Sequence, residues 1–205
     1  MKAGAEPDGD CSTGNPFGSI NEAIASVQTD AVLALSKGIF DEVVAIPRGI
    51  VLWGACVAET VVTSTMPSET EAVITAREPN AEVRNLQITG QRWGVKVSGQ
   101  YAQLHIQDVL IKDTYMFGIF AVSGTLSIDN LILRDTHARP SDGAFGRGLE
   151  VQGGSEVEVL RTVFQNNRDV GVIAYDEGTT LRLEDVVVRD TQSQQSDGTW
   201  GRGLN

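Results

Sequence analysis

One passage in this chain occurs twice. Asp135-Thr136, Ser141-Asp142-Gly143 and Gly146-Arg147-Gly148-Leu149 return as Asp190-Thr191, Ser196-Asp197-Gly198 and Gly201-Arg202-Gly203-Leu204. The offset is 55 residues throughout (136 to 191, 142 to 197, 147 to 202). A fixed period of this kind means one structural unit stacked on a copy of itself.

A finer repeat lies inside it. Leu104-His105-Ile106-Gln107-Asp108-Val109-Leu110-Ile111 aligns with Leu126-Ser127-Ile128-Asp129-Asn130-Leu131-Ile132-Leu133, and again with Leu181-Arg182-Leu183-Glu184-Asp185-Val186-Val187-Val188. A second strand then opens at a glycine each time: Gly94, Gly118, Gly148, Gly171 and Gly203, spaced by 24, 30, 23 and 32 residues. Short β-branched runs separated by turns at a period of ~22–24 residues are the arithmetic of a parallel β-solenoid. A leucine-rich repeat would need its Leu/Asn consensus, and a propeller blade ~40 residues with hairpin turns. Leu126, Ile128 and Leu131 point inward, and successive coils stack at ~4.8 Å. The 30- and 32-residue coils carry insertions in the same turn, 137–145 and 192–200, so both loops fall on one side, two coils and ~10 Å apart.

Residues 1–14 read as a polar lead with no apolar signal-peptide core, as expected of a linker left after a native signal was removed. A β-helix domain follows over 15–205, with coils from about residue 30 onward. Residues 19–27 are its one helix: Ser19 and Glu22 form a capping box, and Ile20, Ala23, Ile24 and Val27 share a face. That helix suits the open N-terminal end of a solenoid, where core and strand edges would otherwise be exposed. Strands are expected at 32–35, 43–46, 50–53, 60–63 and 72–75. Cys11 and Cys56 are too few for a disulfide scaffold, but as a pair they would tie the segment before the helix to an early coil. Such a bond implies an oxidising compartment. At the other end Asn205 falls at the position of Glu150, in mid-strand, so the chain is expected to stop inside a coil. An uncapped coil offers a route to end-to-end self-association.

The chain has 16 Lys plus Arg against 27 Asp plus Glu, a formal charge of −11. Such a surface disfavours nucleic acid and anionic membrane as partners. No run approaches the ~18 apolar residues of a transmembrane segment.

Asn15-Pro16-Phe17-Gly18-Ser19-Ile20-Asn21-Glu22-Ala23-Ile24, then Ala31–Glu42 and Ile50-Val51-Leu52-Trp53-Gly54, resemble the N-terminal region of secreted bacterial right-handed parallel β-helix proteins of the pectate-lyase-like superfamily. The resemblance implies an all-β, right-handed, single-stranded coil with a helical cap and an extracellular or cell-surface location. It leaves function open, because this fold hosts lyases, glycosidases, esterases, adhesins and inert stalks.

The polygalacturonase-like set of paired aspartates, Gly-His-Gly and Arg-x-Lys is missing. The two histidines do not replace it: His105 lies within a strand, and the repeat turns His137 into Gln192. Lyase chemistry would use carboxylates holding Ca²⁺ and an arginine base, and Asp142, Arg147, Asp197 and Arg202 supply those residue types. Yet Ser-Asp-Gly is a turn former, and Asp–Arg pairing within each loop would consume both charges. Phe145 and Trp200 occupy equivalent positions, available either for stacking on a sugar ring or for packing the loop. Asp108, Asn130 and Asp185 recur at one corner as a turn ladder. Asp113, Asp135 and Asp190 recur at another, each beside a basic neighbour. These residues favour a non-catalytic extracellular or cell-surface scaffold that contacts carbohydrate. The alternatives are a polysaccharide lyase or glycoside hydrolase acting on an acidic polysaccharide, and an end-to-end stacking module. No cofactor is expected, with Ca²⁺ the one candidate.

Overall fold

The structure is a computed structural model that describes every residue except Pro7, Asp8, Cys11 and Thr13. The Cys11–Cys56 pairing therefore lies outside the described residues. One helix, α1 (Ile20–Ser26), precedes seven coils. Coil one holds β1 (Val32–Leu35), β2 (Gly38–Asp41) and β3 (Val44–Ile46); coil two, β4 (Val51–Gly54), β5 (Thr60–Ser64) and β6 (Ala72–Ala76). Coil three holds β7 (Ala81–Arg84), β8 (Gln87–Gly90) and β9 (Trp93–Ser98). In coils four and five one long strand serves two faces: β10 (Gln103–Lys112) with β11 (Phe117–Val122), and β12 (Thr125–Arg134) with β13 (Arg147–Gln152). Coil six holds β14 (Glu156–Leu160), β15 (Val163–Gln165) and β16 (Val170–Ala174); coil seven, β17 (Thr180–Glu184), β18 (Val187–Arg189) and β19 (Arg202–Leu204).

Every coil pairs in parallel with the next, giving three faces. The first runs β1-β4-β7-β10-β12-β14-β17 and the third β19-β16-β13-β11-β9-β6-β3; the second, from β2 to β18, merges with the first through β10 and β12. The chain is a right-handed parallel β-helix. Its interior is a column of like residues, such as Leu52, Val83, Ile106, Ile128 and Val159, aligned in register and fully buried. Each such side chain contributes about 1.5–3 kcal/mol of burial.

The corners explain the repeated Asx residues. Asn85, Asp108, Asn130 and Asp185 all have φ between 53° and 55°. Asn and Asp tolerate this left-handed region better than other side chains with a Cβ. The ladder is bonded: Asn85 donates to the Gly54 carbonyl at 2.8 Å, and Asn130 to Asp108 at 2.6 Å. At the next corner Asp113, Asp135 and Asp190 are also left-handed and face Lys112, Arg134 and Arg189.

Helix α1 buries Ile20 and Ala23 against the first coil. Ser19 Oγ accepts the Glu22 amide at 3.3 Å, as the capping box requires. Glu42, at the end of β2, adds a second cap by accepting the Ile20 and Asn21 amides at 2.7 and 3.0 Å. Residues of the N-terminal lead bond to the same coil: Met1 donates to Ala34 at 2.6 Å, and its carbonyl accepts from Ser36. Among the described residues no helix is long and apolar enough to cross a membrane.

Candidate functional site

The third face is the one that carries the inserted loops, and its outer side is where charge and aromatic surface meet. Gly94, Gly118, Gly148 and Gly171 form a column along this face, turned toward Ile111, Leu133, Phe164 and Val188, that lets successive strands approach closely. A Cβ on Gly148 would lie 2.4 Å from the Gly171 carbonyl oxygen, and one on Gly94 2.4 Å from that of Gly118. This is why β9, β11, β13 and β16 each have glycine as their second residue. Beside the column two outward rows stack in register. One aligns Phe117 with Arg147; the other runs Thr75, Lys96, Phe120, Glu150, Ile173.

The 55-residue repeat is repeated in hydrogen bonding. Gly146 and Arg147 both donate to the Met116 carbonyl, and Gly201 and Arg202 both donate to that of Asp169. The two inserted loops meet directly: the Ser196 amide donates to the Gly143 carbonyl at 2.9 Å.

Arg147 does not pair with Asp142, contrary to the expectation of Asp–Arg pairing inside the loop. Its Nε donates to Asp169 Oδ2 at 2.5 Å, and its Nη1 to Glu150 Oε2 at 2.7 Å. The Tyr175 hydroxyl donates to the other Glu150 oxygen at 2.5 Å. Glu150 is 3% exposed and Asp169 is fully buried. One guanidinium thus bridges two buried carboxylates, and Asp169 Oδ1 is buried with no hydrogen-bond partner. Burial and the adjacent Glu150 carboxylate raise the Tyr175 hydroxyl well above the ordinary phenol range. Burial alone would lower Arg147, but its bonds to Asp169 and Glu150 outweigh that and raise it.

An aromatic wall adjoins this cluster. Trp93 packs edge-on against Phe117 at 4.9 Å and beside Phe120 at 5.2 Å. Phe145 closes it, 5.5 Å from Phe117, with its ring between Arg139 and Arg147. Phe145 is therefore loop packing. Its counterpart Trp200 remains 48% exposed, with Arg202 stacked at 4.7 Å. Loop 65–71 fastens the same edge, since Trp93 Nε1 donates to the Glu69 carbonyl and the Ser141 amide to the Glu69 carboxylate.

The remaining loop residues are internally engaged. Asp142 takes both Nε and Nη2 of Arg139 and the Ala144 amide. Arg139, then that amide, holds its carboxyl down at about 2. Asp197 accepts the Thr199 amide and hydroxyl, which lower its carboxyl. It does not pair with Arg202, which donates to Asn205 at 2.7 Å. His105 lies in β10 on the outside of the first face. His137 is half-exposed beside Tyr115 and 3.7 Å from Asp113. Among the described residues no three His, Cys, Asp or Glu side chains converge as a metal-holding group.

Glu150, Asp169 and Tyr175 are absent from the sequence-derived candidates. The one signal for Glu150 is a charge between Leu149 and Val151 in a strand whose neighbours point inward. Asp169 and Tyr175 fall in the coil between the two repeat copies, where the repeat gives no comparison.

No family model matches this chain, and no curated protein matches it. Solved structures do. A pectin methylesterase in complex with a hexasaccharide is 13% identical, with a TM-score of 0.50, over 85% of this chain. The chain spans 58% of the length of that protein. The pectin methylesterase from Aspergillus niger matches 98% of this chain and 91% of its own, at 13% identity and a TM-score of 0.49. The carrot pectin methylesterase matches 95% and 86%, at 14% identity and a TM-score of 0.49. What the chain shares with the hexasaccharide-bound structure is the fold, a right-handed parallel β-helix.

Proposed function

We propose that this chain is the β-helix of a polysaccharide-acting enzyme, working outside the cell or at its surface, with the outer side of the third face turned to the substrate. One observation carries this reading: Glu150 and Asp169, buried on either side of Arg147 and edged by the exposed Tyr175, form a charge-unbalanced cluster on the outside of a sheet whose inside already holds the core. Burying two carboxylates against one guanidinium is a poor way to gain stability. Perturbed ionisable groups gathered on one surface are instead a mark of functional sites. The exposed ring of Trp200 suits the apolar face of a sugar ring. The structural likeness to pectin methylesterases points the same way and favours this reading over an inert scaffold. An acidic polysaccharide is the substrate class, with the bond attacked either glycosidic or an ester on the uronate.

The cluster would act through Glu150 and Tyr175. Arg147 holds the Glu150 carboxylate in place, while Tyr175 presents a hydroxyl at the solvent edge. The test is incubation with methyl-esterified pectin and with polygalacturonate, with and without Ca²⁺, following methanol, reducing ends and unsaturated-uronate absorbance. Turnover by the native chain that is lost in Glu150→Gln, with the fold intact by circular dichroism, supports the reading. A second reading, the non-catalytic carbohydrate-contacting scaffold, is favoured by both Glu150 oxygens already being bonded and scarcely exposed. Binding of either polymer with none of the three products would establish it instead.

A further inference from the structure

Two coils from Glu150, the same outer row passes over a small pocket of about 130 Å³ lined by Val43, Ala45, Thr70, Glu71, Thr75, Arg77 and Lys96, among others. A water molecule takes about 30 Å³ in the liquid, so the pocket has room for a substituent rather than a whole sugar ring. Its charge sets it apart from the rest of the chain. Most lysines and arginines in this acidic protein are neutralised by a carboxylate within 4.0 Å. Among the described residues Lys96 and Arg77 have no such ion pair, yet they share one pocket.

The carboxylate at the rim, Glu71, is paired elsewhere, with Arg92 at 3.3 Å. The Lys96 ammonium is held over the Trp93 ring at 5.0 Å, which fixes its position without cancelling its charge. Thr75 adds a hydroxyl directly beside Lys96 in the register.

We propose that this pocket is a carboxylate subsite, in which Arg77 and Lys96 bind the free acid group of a uronate residue. A guanidinium fork matches the two carboxylate oxygens, and an ammonium adds a point charge. The apolar side chains of Val43 and Ala45 line the wall a sugar ring would lean on. The row from Lys96 through Phe120 to Glu150 crosses two strand spacings, ~10 Å, about the span of two sugar residues. A uronate held at Lys96 therefore leaves a later residue of the same chain over Glu150, the polymer running along the helix axis. A local pair of cations also answers the field of the whole molecule, since a net charge of −11 repels a polyanion everywhere else.

This inference rests on the third face being the polysaccharide surface, and one titration separates the two claims. Calorimetry would measure trigalacturonate and its fully methyl-esterified, neutral counterpart against the native chain, Lys96→Gln and Arg77→Gln. The expected result is preference of the native chain for the acid form, with each variant losing about tenfold of that affinity and keeping its affinity for the ester. The preference should shrink with added salt. If the native chain binds both sugars and neither variant changes the acid-to-ester ratio, the subsite is refuted while the surface stands. If the native chain binds neither sugar, both claims fall.

Discussion

Tyr175, just past the end of β16, donates its hydroxyl to Glu150 of β13 at 2.5 Å. That bond joins two adjacent coils on the outside of the helix and satisfies the oxygen of Glu150 that Arg147 does not reach. Tyr175→Phe leaves that oxygen buried and unpaired, so the expected loss is about 1–3 kcal/mol of stability. Urea unfolding of the two proteins checks it, and an unchanged midpoint would mean that water replaces the phenol without cost.

The same pair sets a pH dependence. The Tyr175 hydroxyl is raised above its unfolded value of about 10. Its contribution to stability is therefore complete below pH 10 and declines as the pH rises from there towards the folded-state value. Phenolate absorbance should show one tyrosine titrating late in the native protein, and this component should vanish in Tyr175→Phe.

Arg147 bridges Glu150 and Asp169, so removing its charge leaves two buried carboxylates facing each other. Arg147→Met should cost about 3–5 kcal/mol, the range for breaking a buried pair by deleting one partner. Arg202, its counterpart 55 residues on, makes no carboxylate contact in the described residues and should tolerate Arg202→Met within about 0.5 kcal/mol. Thermal unfolding of both variants separates the two copies of the motif.

The glycine column offers a matched comparison. An added Cβ at Gly148 meets backbone oxygen at 2.4 Å, whereas at the equivalent Gly203 the nearest atom is 3.6 Å away, on Val188. Gly148→Ala should cost about 1–3 kcal/mol through overpacking, and Gly203→Ala close to nothing. Equal losses at both sites would show that close strand approach is not what glycine provides here.

Much of the fold was legible because a solenoid writes its core as a period. The inward run Leu126, Ile128, Leu131, the Asx corners and the glycine starts all recur, and each is fixed by contact with an identical neighbour. β2 was harder to see. Gly38-Ile39-Phe40-Asp41 buries only Phe40, and it becomes a strand by pairing with β5 rather than by any pattern of its own. The repeated run from Leu104 lies within one strand, β10, which turns a corner at the left-handed Asp108 and serves two faces.

The site was less legible for a different reason. Asp142 and Arg147 stand out because they repeat, and repetition marks what the coil needs for its own construction. Asp142 closes its loop with Arg139. Arg147 alone reaches beyond the loop, to Glu150 and Asp169, and the second copy has Asn205 in place of Glu150.

The most direct test of the central claim is a footprint. Hydrogen–deuterium exchange with and without an excess of pectin oligosaccharide would report which face meets the sugar. The expected result is protection confined to strands of the third face and their edges, 43–46, 72–77, 93–98, 117–122, 147–152 and 170–175, together with loop 192–201. Protection confined to the first face, around Trp53 and Arg84, or no protection anywhere at saturating sugar, would contradict it.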